Sequence, residues 1–263
     1  MLWVSFGLGM VAAARYRARA TSQEHRRQLW ALVQDIQLQL ANVEDPLWIG
    51  ICGVPGAGKT TLAGDLQQAL VKAGISCAVV PMDGYHYYRS ELDQMPDPEQ
   101  AHRLRGAPFT FDSSRFASDL LRKKLALKQG QAVQEGGVEV APHTQIVLVE
   151  GNYLLLWKPE LALDYCYFLQ IDLQVAKQRL ARRHSQAWNW SLEAALQRVE
   201  QSDYANMVLV QTTKPLADKV VILHNLNSPG LAQRAPHAEQ LPPHNKHAHG
   251  KGAKPPRCVV IHR

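Results

Sequence analysis

Residues Gly53 to Thr60, Gly-Val-Pro-Gly-Ala-Gly-Lys-Thr, constrain this chain more than any other stretch. They fit G-x-x-x-x-G-K-[ST], and their setting fits as well. Trp48-Ile49-Gly50-Ile51-Cys52 before them reads as a buried strand, and Leu62, Leu66 and Leu70 after them recur at helical spacing. Glycines at three positions let successive backbone N–H groups converge on one anion. A helix opening at Lys59 adds its positive end to the same spot. The spacing therefore predicts a nucleoside triphosphate site formed by Gly53, Val54, Pro55, Gly56, Ala57, Gly58, Lys59, Thr60 and Thr61. Lys59 would reach the β- and γ-phosphates, the Thr60 hydroxyl would serve Mg²⁺, and Thr61 would touch the α-phosphate.

A chain of 263 residues suits one α/β domain with extensions, or two small domains. Its net charge of +6 would suggest nucleic acid if it were spread over the fold. It is not: residues 225–263 hold six Lys/Arg against one Asp/Glu, whereas residues 46–224 hold eighteen of each. The expectation is no nucleic-acid partner. Cys52, Cys77, Cys166 and Cys258 are far apart with no C-x-x-C pair, so neither a zinc site nor a disulfide framework is expected.

Three regions follow along the chain. Residues 1–22 read as a flexible extension, apolar from Met1 to Ala14 and then basic at Arg15, Arg17 and Arg19. It is too short for a stable membrane insertion. It is either an organelle transit peptide, giving a mitochondrial or chloroplast protein, or the frayed start of a cytoplasmic one. Residues 23–224 read as the catalytic domain and residues 225–263 as a disordered, basic, His- and Pro-rich tail. Within the domain an amphipathic helix over 23–41 precedes the first strand, a second strand spans 75–81, and a third spans 145–150. Further strands are expected over 167–173 and 219–223. Strands alternating with helices imply a three-layer sandwich around a mainly parallel sheet.

Ligands of such sheets sit outside the carboxyl ends of the strands. Asp83, in Met82-Asp83-Gly84-Tyr85-His86, stands at the end of the second strand, where a carboxylate can accept a hydroxyl proton. Glu150 ends the apolar run Gln145 to Glu150, a Walker-B-like position for Mg²⁺. Arg179 and Arg183 lie four apart on one helical face with Ala176 and Leu180, as cations of a lid over phosphates would. Trp188 and Trp190 are expected to pack that lid. Arg103 and Arg105 would either hold an acidic substrate group or lie on a solvated face, and Asp112 reads as the N-cap of a helix over 114–125.

Together these segments resemble the P-loop kinase family of uridine kinase, phosphoribulokinase and bacterial-type pantothenate kinase, in the uridine kinase-like branch that includes the yeast kinase-like protein Yfh7. The likeness rests on Gly53 to Thr61, Met82 to His86, Arg105-Gly106-Ala107-Pro108-Phe109-Thr110-Phe111-Asp112, Val149 to Leu155, Asp172-Leu173, Arg179, Arg183-His184, Asp203 and Asn206. It implies a kinase-type P-loop NTPase fold with a small lid, ATP and Mg²⁺ as cofactors, and a small-molecule hydroxyl acceptor; an oligomer is compatible with it. It further implies Asp83 as catalytic base with Lys59, Arg183 and Arg179 on the phosphates, Thr60 and Glu150 on the metal, and Tyr85, His86 and Arg105 toward the substrate. Relatives carry a Pro, an aromatic, an Asp and a His or Arg shortly before the strand ending in Glu-Gly. Leu127 to Thr144 contains no such set and reads as shortened, so an ATP-binding protein that has lost phosphotransfer is the alternative. A GTPase switch would need N-K-x-D, and Thr212-Thr213-Lys214-Pro215 is not one.

Overall fold

The structure, a computed structural model, describes residues 23–223 apart from Gly136 and Gly137. The expectations for residues 1–22, for the tail over 225–263 and for Cys258 lie outside the described residues. Helix α1 (23–40) leads into β1 (Leu47–Cys52), and the phosphate loop connects β1 to α2 (Lys59–Lys72). Strand β2 (Cys77–Pro81) runs into a 3₁₀ turn, Met82–Tyr85, and two short helices follow, α3 (Arg89–Leu92) and α4 (Pro98–Arg103). Then come α5 (Ser113–Lys128), a hairpin of β3 (Val133–Glu135) and β4 (Val138–Val140), and β5 (Ile146–Gly151). After α6 (Lys158–Leu161) and β6 (Tyr165–Gln170), helix α7 (Leu173–Trp188) turns into α8 (Leu192–Arg198). A π-helical segment, Val199–Asp203, carries α8 into α9 (Tyr204–Thr212), and β7 (Lys219–Ile222) ends the sheet.

The five-stranded sheet has the order β2-β5-β1-β6-β7 and every pair in it is parallel. Its two central strands are buried at all six positions, as expected where helices cover both faces. The faces can be told apart by register. Ile51 pairs with Tyr167, whose hydroxyl donates to Asp35 of α1 at 2.7 Å, and His25 of α1 lies 3.1 Å from Asp65 of α2. Trp48 points the other way, with the Lys124 ammonium of α5 5.2 Å from its ring. Helices α1 and α2 thus cover one face and α5 the other, which gives the three layers predicted.

Element boundaries moved by a few residues, as the ends of regular elements do. The strand expected over 167–173 is Tyr165–Gln170, because Asp172 caps α7 by accepting from Gln174 N at 2.8 Å and Val175 N at 3.1 Å. Asp112 is the N-cap expected, accepting from Arg115 N at 2.9 Å, and its helix extends to Lys128. Leu127 to Thr144 holds the antiparallel hairpin, a motif not anticipated there. Among the described residues no helix is long and apolar enough to cross a membrane.

Candidate active site at the carboxyl ends of β1, β5 and β2

Register assembles the site. Ile51, Glu150 and Pro81 form one row across β1, β5 and β2. Two residues further along each chain stand Gly53, Asn152 and Asp83. Neighbouring strands are about 4.8 Å apart, so the start of the phosphate loop and Asp83 are separated by about 10 Å across the sheet.

The loop is held by close packing. A Cβ on Gly56, whose φ is +80°, would come within 2.6 Å of the Ala176 carbonyl oxygen of α7, so the turn admits no side chain. Gly58, at φ 96°, caps α2 in the left-handed region and directs the chain into the helix at Lys59. The Lys59 ammonium is 8 % exposed; it donates to Val54 O at 3.2 Å and to Asn152 Oδ1 at 2.6 Å. Cys52 Sγ donates to the Asn152 carbonyl at 3.1 Å, fixing the backbone that presents the amide. Thr60 Oγ1 donates to Glu150 Oε1 at 3.0 Å, and Thr61 is exposed in the same first turn.

Burial acts against both charges here. It pulls the Lys59 ammonium down from its ordinary value; Glu150, Asp83 and Cys52 oppose the shift and Arg183 adds to it. It pushes the Glu150 carboxyl up, with Asp83 adding to the rise while Lys59, the Thr60 hydroxyl and Arg183 oppose it. Lys59, Glu150, Asp83 and Arg183 therefore lie within one electrostatic neighbourhood, although they come from four different elements. Asp83 is exposed in the 3₁₀ turn and Arg183 is exposed on α7, both open to a ligand. Arg179 is half-buried one turn before Arg183, and burial holds its guanidinium below the usual value. Thr60 and Glu150 offer two hard oxygen donors already in contact, a donor set that suits Mg²⁺.

On the acceptor side the residues named from sequence separate. Tyr85 is buried at 3 % exposure with its ring 4.7 Å from that of Phe116, under the site rather than lining it. His86 is half-buried and stacked on Phe111 at 3.8 Å, and its Nδ1 is a buried atom without a partner. Arg105 is half-buried in the loop ahead of Phe111. Trp188 and Trp190, expected to pack the lid, are 46 % and 43 % exposed; Trp188 stacks on His184 of α7 at 4.4 Å and lies 4.7 Å from the Trp190 ring. The α7–α8 turn is tight, Asn189 taking a φ of 53°, and it turns the two rings outward.

Three contributors escaped the sequence reading as site residues. Asn152 takes the Lys59 ammonium. Tyr153 donates its hydroxyl to Gly106 O at 2.6 Å and so ties the Glu-Gly-Asn-Tyr turn to the Arg105 loop. His184 Nε2 lies 3.1 Å from Asp203 Oδ2, joining α7 to the π-helical segment, an irregularity that often marks functional sites. Their signal was adjacency: Asn152 and Tyr153 follow Glu150 closely, and His184 follows Arg183.

Known proteins are similar to this chain in sequence and fold. A protein of Schizosaccharomyces pombe named "Putative uridine kinase C227.14" is 34 % identical over 203 residues, 70 % of this chain and 86 % of that protein. The ATP-dependent kinase YFH7 of Lachancea thermotolerans is 27 % identical over 227 residues, 67 % of this chain and 65 % of its own length. Among solved structures, a "putative fructose transport system kinase" from Silicibacter sp. TM1040 superposes with a TM-score of 0.63 at 28 % identity, covering 73 % of this chain and 98 % of that one. YFH7 of Saccharomyces cerevisiae has the same fold at a TM-score of 0.57 and 19 % identity, over 74 % of this chain and 98 % of that one. A family model for the methylmalonyl-CoA mutase-associated GTPase MeaB matches residues 14–88, a stretch that includes the phosphate loop. With its parallel sheet, phosphate loop and kinase relatives, the chain belongs to the uridine kinase-like family of nucleotide-binding P-loop kinases.

Proposed function

We propose that this protein transfers the γ-phosphoryl group of ATP to a hydroxyl of a small molecule, in the class of nucleosides, sugars, sugar phosphates and pantothenate-like alcohols. The observation that carries this reading is the meeting of Lys59, Glu150, Asp83 and Arg183 in one electrostatic neighbourhood, with Asp83 exposed at the far side from the phosphate loop. Such a site joins a triphosphate cradle to a carboxylate that can take a proton.

Phosphoryl transfer leaves a protein little covalent work, so positioning and charge compensation supply most of the acceleration. The amides of Gly53 to Thr61 hold the triphosphate. Lys59 leaves Asn152 for the β- and γ-oxygens, and Arg183, with Arg179 in support, meets the charge on the transferring group. Thr60 and Glu150 would hold Mg²⁺, which neutralises phosphate charge when bound. Asp83 orients the acceptor hydroxyl and takes its proton. The acceptor oxygen forms a bond to the γ-phosphorus, the bond from that phosphorus to the β–γ bridging oxygen breaks, and ADP departs.

Incubation with ATP, Mg²⁺ and a panel of nucleosides, sugars, sugar phosphates and pantothenate tests this directly, with the phosphorylated product identified by mass. Asp83→Asn should lower turnover by about 10²–10⁴-fold while ATP affinity persists. Normal turnover of that variant removes Asp83 as the base. Tight ATP binding with no product from any alcohol favours a nucleotide-binding protein that has lost transfer.

A further inference from the structure

The loop from Arg103 to Asp112 is fastened to the Asp83 turn at its carboxyl end. Tyr87 N donates to Thr110 O at 3.0 Å and Asp112 N to Tyr85 O at 2.9 Å, with His86 bridged to Phe111 between them. At the loop's other end Gly106 adopts a φ of +108° and is pinned on both sides. Its N–H donates to Thr110 Oγ1 at 3.0 Å, and its carbonyl accepts from Tyr153 at 2.6 Å. Thr110, wholly buried, donates its own hydroxyl to Ala107 O at 2.8 Å. Every polar bond in this loop thus holds backbone, and what it presents is Arg105.

Arg105 N donates to His102 O at 3.4 Å, but its side chain makes no hydrogen bond or ion pair among the described residues, although the residue is half-buried. Its charge reaches His86: burial lowers the His86 imidazole from its ordinary value, Arg105 lowers it further, and Asp83 and the Thr110 backbone oppose. His86 stands in the same turn as Asp83, stacked on Phe111 of the Arg105 loop, and its buried, unpartnered Nδ1 suits a hydroxyl. The cations beside the phosphate loop, Lys59 and Arg183, are matched to the triphosphate. Arg105 is left over on the acceptor side. An unpaired guanidinium is matched by a planar carboxylate or a phosphate, which it can hold through two parallel bonds.

We propose that the acceptor is itself an anion, a hydroxy compound bearing a carboxylate or phosphate that Arg105 receives while His86 and Asp83 hold its hydroxyls. This deepens the phosphotransfer reading and rests on it for the role of Asp83. The fastened loop makes the distance between anion site and base a fixed ruler, which selects acceptors by the span between their charged group and the reacting hydroxyl.

The test pairs neutral and anionic compounds of one skeleton: glycerol with glycerate, glucose with gluconate, ribose with ribose 5-phosphate, uridine with uridine monophosphate. Binding is titrated calorimetrically to the full-length protein with Mg²⁺ and a non-hydrolysable ATP analogue, and transfer is followed separately with ATP. The carboxylate pairs and the phosphate pairs distinguish the two sources of the anion. Wild type should bind an anionic member at least about tenfold more tightly than its neutral partner. Arg105→Gln should erase that preference with ATP affinity unchanged, and Arg105→Lys, which keeps a point charge without the fork, should restore part of it. Equal binding within every pair, no binding by any anionic member, or a preference that survives Arg105→Gln overturns the proposal. Binding of the anionic members without product overturns the phosphotransfer reading instead and leaves the anion site standing.

Discussion

Lys59 illustrates how a single residue can be poised by neutral partners. A buried ammonium needs hydrogen-bond acceptors, yet a carboxylate in direct contact would compete with a triphosphate for it. Here the acceptors are the Val54 carbonyl and the Asn152 amide, and the nearest acid, Glu150, is occupied by Thr60 instead. The ammonium is thus stabilised without being locked in an ion pair. Gly56 shows the opposite kind of constraint, one of space. Gly56→Ala must place a Cβ 2.6 Å from a backbone oxygen of α7 at a positive φ, so neither neighbour can yield cheaply. We expect that variant to lose about 1–3 kcal/mol of unfolding free energy in urea titration and most of its ATP affinity in the same preparation. Unchanged affinity would mean that the turn tolerates a side chain.

Helix α7 is the element that brings cations to the phosphate loop. Its start is set by Asp172, which satisfies two of the open N–H groups, and its inner face is set by Ala176, Leu180, Ala181 and His184. Arg179 and Arg183 then fall beside that face by helical spacing alone. Asp172→Ala should cost about 1 kcal/mol and lower the melting temperature by roughly 2–4 °C, read by circular dichroism. Asp172→Asn, an equally good cap, should lose little of this. The far end of α7 is governed differently. His184 reaches Asp203 in the π-helical segment, and Lys177 pairs with Glu200 there and lies 4.5 Å from the Tyr204 ring centre, so α8 and α9 are coupled to α7 through both side chains.

Over the molecule as a whole, the cysteines behave as small apolar side chains. Cys52 and Cys166 are buried and Cys77 is half-buried; all three are reduced. Burial pushes the Cys77 and Cys166 thiols up to about 12 and raises Cys52 as well. Only the thiolate attacks disulfide reagents, so at pH 8 these side chains should be inert while the sheet is intact. In a Cys258→Ser chain, Ellman's reagent should label almost nothing under native conditions and three thiols in denaturant. Rapid native labelling would show that the sheet opens locally far more often than its burial implies.

Much of the molecule was legible one segment at a time. The phosphate loop, the helices at Leu62 and Ser114, the cap at Asp112 and the apolar strands all depend on residues within a dozen positions of one another, and dihedral preference and periodicity act over that range. Asp83 and Glu150 could be assigned to the site because strand ends of a parallel sheet must meet there. The order β2-β5-β1-β6-β7 could not be read the same way, nor could the row that sets Asn152 between Gly53 and Asp83. Tyr85 makes the same point, since a motif tyrosine named toward the substrate is buried against Phe116. Sequence alone determined the phosphate-loop motif at Gly53 to Thr60, because that motif is made of contiguous backbone. Which acid, amide and cations gather beside that loop was decided by register and packing between strands about a hundred residues apart, a choice no local propensity encodes.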